Sequence, residues 1–378
     1  MRNFYFFSTC ALLALFACKQ NSHEGLDEGR IPKFHVTDSL VIDYLGMLTL
    51  LDIKKDRSEY LLYDFQREKY LRVNGKGEII LAKSLSKDGK DSVGDIMISF
   101  LYTDNDELLL VGMDGAYRYD LSFNLKEKIY FPVSIMTNSV GGTNSCLLVK
   151  DKLFANFNPL NPSSDFFQQK DYLAKYPYLS VFDLNSSEII KQAYIPSDSQ
   201  LIQHPGQYRE TAPHALIHKN DLYLMFHNSP EIYRFSYPEL ELIGKFDLNP
   251  GSNYVQVDPI HGVENSVERF FTDLSGSSFI HFSHSGDYFL TGYLGAAPKE
   301  KVAELPRNVI GGKEFMELSN AYKKPFYQIF SGGEKVWEGE LDISFKYKGG
   351  RLFATRNLNL PKFEGELDYI AFYFYEIK

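Results

Sequence analysis

Apolar residues along this chain come in short runs that alternate with polar positions and are separated by turns. Leu61-Leu62-Tyr63-Asp64 is followed by Tyr70-Leu71-Arg72-Val73, the turn Asn74-Gly75-Lys76-Gly77, and Glu78-Ile79-Ile80. The order then recurs. Leu108-Leu109-Leu110-Val111 leads to Ala116-Tyr117-Arg118-Tyr119-Asp120 and Glu127-Lys128-Ile129, and Leu153-Phe154-Ala155 leads to Tyr178-Leu179-Ser180-Val181-Phe182-Asp183 and Glu188-Ile189-Ile190. Leu222-Tyr223-Leu224-Met225 leads to Glu231-Ile232-Tyr233-Arg234-Phe235 and Glu241-Leu242-Ile243. Phe279-Ile280-His281-Phe282 with Tyr288-Phe289-Leu290-Thr291 reads as a fifth copy, and Phe326 to Phe330 with Glu334 to Glu338 as a sixth.

Each copy predicts two inner strands, a turn and an outer strand of alternating charge. Such a sheet buries one face and wets the other, so it cannot stand alone. The copies start roughly 45 to 70 residues apart, a spacing of propellers and solenoids with insertions. Radial stacking of the sheets buries both faces and leaves few edges. The expected fold is therefore all-β, a single β-propeller over residues 31–378, with six blades fitting the repeat count and seven as the alternative. A two-sheet sandwich is the competing architecture. Ser39-Leu40-Val41-Ile42-Asp43-Tyr44 near the start and Tyr369 to Tyr375 at the end are both strand candidates. Pairing them in one blade would close the ring and remove the last edge. Helical pattern is confined to Lys170–Tyr176 and Ala321–Lys324, and no amphipathic stretch reaches ordinary helix length.

Composition agrees: 30 Phe and 26 Tyr accompany a single Trp, a choice that suits pleated, half-buried surfaces. The N-terminus adds an address. Arg2 precedes an apolar run from Phe4 to Ala17, interrupted only by Ser8 and Thr9 and too short to span a bilayer. Leu15-Phe16-Ala17-Cys18 follows, and it resembles the lipobox of bacterial lipoproteins. The resemblance implies cleavage before Cys18 and acylation of its thiol, leaving residues 1–17 as signal peptide. Residues 18–30 lack apolar periodicity and read as a polar tether. Asp27 and Glu28 lie well past the Cys, farther than the acids of Bacteroidetes-type surface-export signals, so the sequence sets neither the periplasmic nor the surface face.

Of the three cysteines, Cys10 leaves with the signal, Cys18 would carry lipid, and Cys146 lies alone in an apolar run. No intramolecular disulfide is available to the mature chain, and Cys146 reads as a buried small hydrophobe. Loss of Arg2 with the signal leaves 39 bases against 49 acids, a formal net charge near −10. That balance argues against a nucleic-acid partner and against a polybasic membrane contact, leaving the lipid as the membrane anchor. Signal, tether and single propeller together resemble the uncharacterised Bacteroidetes-type lipoproteins that carry a six-bladed β-propeller domain. The resemblance covers the whole chain, implies a bacterial envelope location on the outer membrane, and implies no reaction.

No His-Glu-x-x-His, Cys-x-x-Cys, Gly-x-Ser-x-Gly or Gly-x-Gly-x-x-Gly motif occurs, and neither a cofactor nor a metal site is expected. The Gly pairs, Gly311-Gly312 among them, read as turns without a following helix. Asp104-Asn105-Asp106 reads as a solvated turn, since the Gly and distant Glu of a calcium loop are missing. Histidine carries the one chemical signal: seven of nine fall between His204 and His284. The loop His204 to His214 precedes the inner strand of the fourth copy, and Pro259 to Asn265 precedes the fifth. Loops entering inner strands gather at one mouth of a propeller channel. His204, Arg209, His214, His261 and Glu264 are therefore candidates for an anionic or glycan-like ligand, with Arg209 supplying a bidentate fork. The alternative is that these groups only hydrogen-bond loop carbonyls. Three functions follow from this set: a non-enzymatic binding propeller for a glycan or envelope protein, a polysaccharide hydrolase or lyase using Glu210, Glu264 and His214, or a structural subunit of an envelope complex.

Overall fold

The computed structural model describes residues 32–85, 97–136, 146–159, 163, 165–208, 211–260, 266–307, 311–361 and 368–378. Its strands form six four-stranded antiparallel sheets, arranged as a six-bladed propeller. The first strand, β1 (Phe34–Ile42), belongs to the last blade. Blade 1 is β2 (Leu48–Ile53), β3 (Glu59–Asp64), β4 (Lys69–Asn74) and β5 (Ile79–Lys83), from the axis outward. Blade 2 is β6 (Met97–Tyr102), β7 (Leu108–Gly112), β8 (Gly115–Tyr119) and β9 (Leu125–Tyr130). Blade 3 is β10 (Cys146–Val149), β11 (Lys152–Ala155), β12 (Pro177–Asp183) and β13 (Glu188–Tyr194). Blade 4 is β14 (Pro213–His218), β15 (Asp221–Phe226), β16 (Glu231–Ser236) and β17 (Leu242–Asp247). Blade 5 is β18 (Ser278–Ser285), β19 (Tyr288–Leu294), β20 (Pro325–Ser331) and β21 (Glu334–Glu340). Blade 6 is β22 (Lys346–Lys348), β23 (Arg351–Ala354) and β24 (Ile370–Ile377), with β1 as its outer strand.

The chain ends pair as the sequence suggests, in the register Phe34↔Ile377 to Ile42↔Ile370. Arg351 holds this blade together: it bonds Asp38 at 3.1 and 3.2 Å and lies 3.8 Å from the centroid of the Phe374 ring. The core is six seams, one between each pair of neighbouring blades. Leu40 and Phe374 of blade 6 pack with Leu50 and Leu62 of blade 1, for example, and Phe154 and Tyr178 of blade 3 with Leu224 and Tyr233 of blade 4.

The repeat has a local cause at the outer hairpin. Asn74 Oδ1 accepts from the amides of Lys76 (2.9 Å) and Glu78 (3.1 Å), and Asp120 Oδ1 from those of Ser122 (2.8 Å) and Asn124 (2.9 Å). Asp183 does the same toward Asn185 at 2.9 Å. A short polar side chain ending the third strand thus turns the backbone by itself. The register then slips at one place in five blades, between Arg72/Val73, Arg118/Tyr119, Val181/Phe182, Arg234/Phe235 and Ile329/Phe330. Such bulges increase the strand twist, which turns the outer strand away from the axis.

Three expectations are corrected. The fifth and sixth copies are one blade: β18 and β19 are separated from β20 and β21 by the insertion 295–324, and the sixth blade is built from β22 to β24 and β1. The short strands Lys346–Lys348 and Arg351–Ala354 carry too little pattern to announce themselves. Two helices reach ten residues, α3 (Ser266–Ser275) and α5 (Lys313–Tyr322), beside the short α1 (Tyr172–Lys175), α2 (Gln200–Gln203) and α4 (Lys299–Ala303). A helix does follow Gly311-Gly312, since Gly312 is the N-cap residue of α5. The two longer helices do carry an apolar face, which the strand-centred reading passed over: Phe271, Leu274 and Val302 form a small satellite core with Phe315.

Candidate functional site

Topology sorts the connections by face. In a four-stranded antiparallel blade, the links from second to third strand and from outer strand to the next inner strand leave at the same end. The long links 131–145, 156–176, 195–212, 248–277, 295–324 and 355–369 are all of these two kinds. One face of the ring therefore carries every insertion and all five helices among the described residues, and the other carries short hairpins.

The two histidine-bearing loops singled out in the sequence meet on this insertion face. Gln207 and Ile260 form an antiparallel bridge, each amide donating to the other's carbonyl at 2.9 Å. The Gln207 side chain also donates to the Phe167 carbonyl, joining the insertion of blade 3 to the same knot. In that insertion Tyr172 and Tyr176 are buried and Phe166 and Phe167 partly so, against the seam of blades 3 and 4. The aromatic loop thus caps a blade.

Of the five candidate side chains, two are described. His204 is exposed at the C-cap of α2, its carbonyl accepting from the Tyr208 hydroxyl at 2.8 Å. His214 is 2 % exposed, with Nε2 3.2 Å from the Phe279 carbonyl and its ring 4.2 Å from that of His227. Burial holds its pKa well below the ordinary histidine value, so the neutral ring serves the seam of blades 4 and 5. Arg209, His261 and Glu264, together with Glu210 and Cys18, lie outside the described residues. The bridge fixes the backbone two residues before Arg209 and one before His261.

Beside this seam lies a cleft of about 420 Å³ between blades 5 and 6, on the same face. Ile280, Leu294, Pro325, Ile343 and Ala354 give it apolar walls, and Asp342, Ser344, Thr355 and Arg356 a polar edge. The edge is rigid. Tyr327 donates to the Ile343 carbonyl at 2.9 Å and accepts from the Phe345 amide at 3.2 Å. Arg356 Nη1 bonds the Asp342 carbonyl (2.6 Å) and carboxylate (3.1 Å), and Tyr375 donates to the Arg356 carbonyl at 2.5 Å. An apolar cleft with a few fixed polar groups is the usual form of a small-molecule site. Nothing in the sequence marks it, because its walls come from segments far apart in the chain.

Sequence reading also passed over Asp52, on inner strand β2. Its carboxylate accepts from the Tyr102 amide at 2.8 Å, and burial raises its pKa to about 6. The available signal was an acid inside the apolar run Leu50-Leu51-Asp52-Ile53, since buried carboxylates are rare and perturbed ones gather at functional positions.

No family model and no curated protein matches the chain. Among solved structures, it is similar to a member of the DUF4221 family from Bacteroides vulgatus, with a TM-score of 0.63 and 11% identity over 92% of this chain and 98% of that one. It is also similar to a candidate exported protein from Bacteroides fragilis, with a TM-score of 0.57 and 12% identity over 92% of this chain and 96% of that one. At such identities the likeness is one of fold.

Proposed function

We propose that this chain is a non-enzymatic binding propeller of the bacterial cell envelope, anchored through a lipid on Cys18, that offers its insertion face to a glycan or an envelope protein. The observation that carries the reading is the Gln207–Ile260 bridge, which ties the loops bearing His204, Arg209 and His261 together above the inner strands. Loops held by a rigid scaffold are where propellers place their ligands. The cleft between blades 5 and 6 supplies apolar depth on that same face. The export-related description of the Bacteroides fragilis neighbour is in keeping with an envelope location. Among the described residues, the buried carboxylate of Glu231 and the half-buried one of Glu338 serve the framework, each accepting several protein donors. This favours binding over acid–base chemistry.

The test is a thermal-shift screen of the protein against glycans and small organic acids, with Arg209→Ala, His261→Ala and Ile280→Asp alongside. A stabilising ligand lost in these variants, at unchanged folding, supports the reading. A ligand retained by all three, or turnover of a polysaccharide that Glu264→Gln abolishes, refutes it.

A further inference from the structure

The guanidinium of Arg356, which lines the cleft between blades 5 and 6, is used on one side only. Its Nη1 donates to the Asp342 carbonyl at 2.6 Å and to the Asp342 carboxylate at 3.1 Å. The backbone is fixed as well. The Tyr375 hydroxyl donates to the Arg356 carbonyl at 2.5 Å and accepts from the Leu358 amide at 2.9 Å. Nε, by contrast, is buried and has no acceptor. Among the described residues none accepts from Nη2 either.

Nε–H and the Nη2–H beside it lie parallel in the guanidinium plane. This unused edge is the fork that grips a carboxylate through two parallel bonds. A buried donor without an acceptor costs free energy, which a ligand oxygen would recover. The group can be reached, since 34% of the Arg356 side chain is exposed. Nor does Asp342 exhaust its charge: that side chain is 79% exposed, and water screens such a pair.

The rest of the cleft sets the body of the ligand. Ile280, Leu294, Pro325, Ile343 and Ala354 present no side-chain donor or acceptor, so what they bury well is hydrocarbon. A second negative charge is disfavoured, because Arg356 is the one base among the described residues of the lining and Asp342 would repel it. We propose that this cleft binds a monocarboxylate with an apolar body, its two oxygens on Arg356 Nε and Nη2 and its hydrocarbon on the walls. The inference rests on the reading of the insertion face as a ligand-binding face, and gives the cleft a ligand class of its own.

The experiment uses the full chain in detergent at pH 7 and fixed ionic strength, titrated separately with hexanoate, acetate and hexan-1-ol. Hexanoate is expected to raise Tm saturably by about 2 °C. Acetate, which lacks the apolar body, and hexan-1-ol, which lacks the charge, raise it less. Arg356→Met abolishes the hexanoate effect. In the wild-type protein, hexanoate slows modification of Arg356 by phenylglyoxal, read by peptide mass, without slowing that of the exposed Arg57 on the hairpin face. A hexanoate shift unchanged in Arg356→Met, equal shifts with acetate and hexanoate, or a modification rate at Arg356 indifferent to hexanoate overturns the inference. The modification rate decides the matter if Arg356→Met does not fold. A glycan whose binding is lost in Arg209→Ala and His261→Ala, with no response to hexanoate, would refute this inference and leave the reading of the loops standing.

Discussion

Tyr233 donates its phenolic proton to Glu231 Oε2 at 2.5 Å, between two residues on the same face of β16. The same oxygen takes bonds from Ser229 Oγ (2.5 Å), Ser199 Oγ (3.1 Å) and the Gln200 amide (3.1 Å), and Lys245 reaches Oε1 at 3.1 Å. One carboxylate therefore pins α2, and with it the histidine-bearing link 195–212, to the sheet of blade 4.

That node makes stability pH-dependent. Burial alone would raise the Glu231 pKa, but the donors from Ser229, Tyr233, Lys245 and Gln200 outweigh it and hold the group below its ordinary 4.5. A depressed folded pKa contributes stability above the unfolded value, lost as pH falls below 4.5. Glu231→Ala should cost about 3 kcal/mol at pH 7, because it strands buried donors. Its Tm should fall less steeply on acidification than that of the wild type.

Asp52 has the opposite sign. Its folded pKa, about 6, lies above the ordinary 3.8, so the group favours folding at low pH and loses that contribution as pH rises through 6. Asp52→Asn keeps an acceptor for the Tyr102 amide and cannot ionise. Chemical denaturation at pH 7 should find it more stable than wild type by about 1–2 kcal/mol, with the difference gone at pH 4.

Two glycines separate backbone conformation from crowding. Gly77 has φ +84°, and a Cβ there would lie 1.8 Å from the Val41 carbonyl oxygen, backbone against backbone. Gly286 has φ +58° with nothing within 4 Å. Gly286→Ala should cost about 1 kcal/mol, the penalty of the left-handed conformation alone. Gly77→Ala should exceed it by at least about 2 kcal/mol, since β1 must shift to admit the methyl group.

Cys146 is buried, and desolvation pushes its thiol up to about 12, so the nucleophilic thiolate is scarce. Native protein should react with a thiol reagent only at the rate of unfolding, and fully in denaturant. A Cys18→Ala chain should leave the membrane fraction on cell fractionation. A Cys18→Ala protein that stays with the membrane would count against the proposed anchor.

The fold was legible because the outer hairpins repeat their chemistry. Asn74, Asp120 and Asp183 mark the same turn in three blades, and each can be read without knowing what packs behind it. The inner half of blade 6 was hidden for the converse reason: Lys346–Lys348 and Arg351–Ala354 are three and four residues long, too short to show a pattern. Of the candidate site, the loops of His204 and His261 could be paired from their positions before successive inner strands. The seam role of His214 could not, because Phe279 and His227 meet it only through the stacking of two blades. Arg356 had no local signature at all, since what distinguishes it is its surroundings.

Ring closure by β1 has a mechanical consequence. β1 is the first strand of the ring, so under the proposed lipid anchor a pull would enter the domain at Lys33, whose amide bonds the Lys378 carbonyl at 2.8 Å. Load along β1 would be shared by the whole β1–β24 ladder, with Arg351 clamping Asp38 from the side. Antiparallel strands loaded along their length must break many bonds together instead of unzipping one at a time. The strand that completes the propeller would thus also bear the strain of the proposed attachment, and extracting it would open the ring.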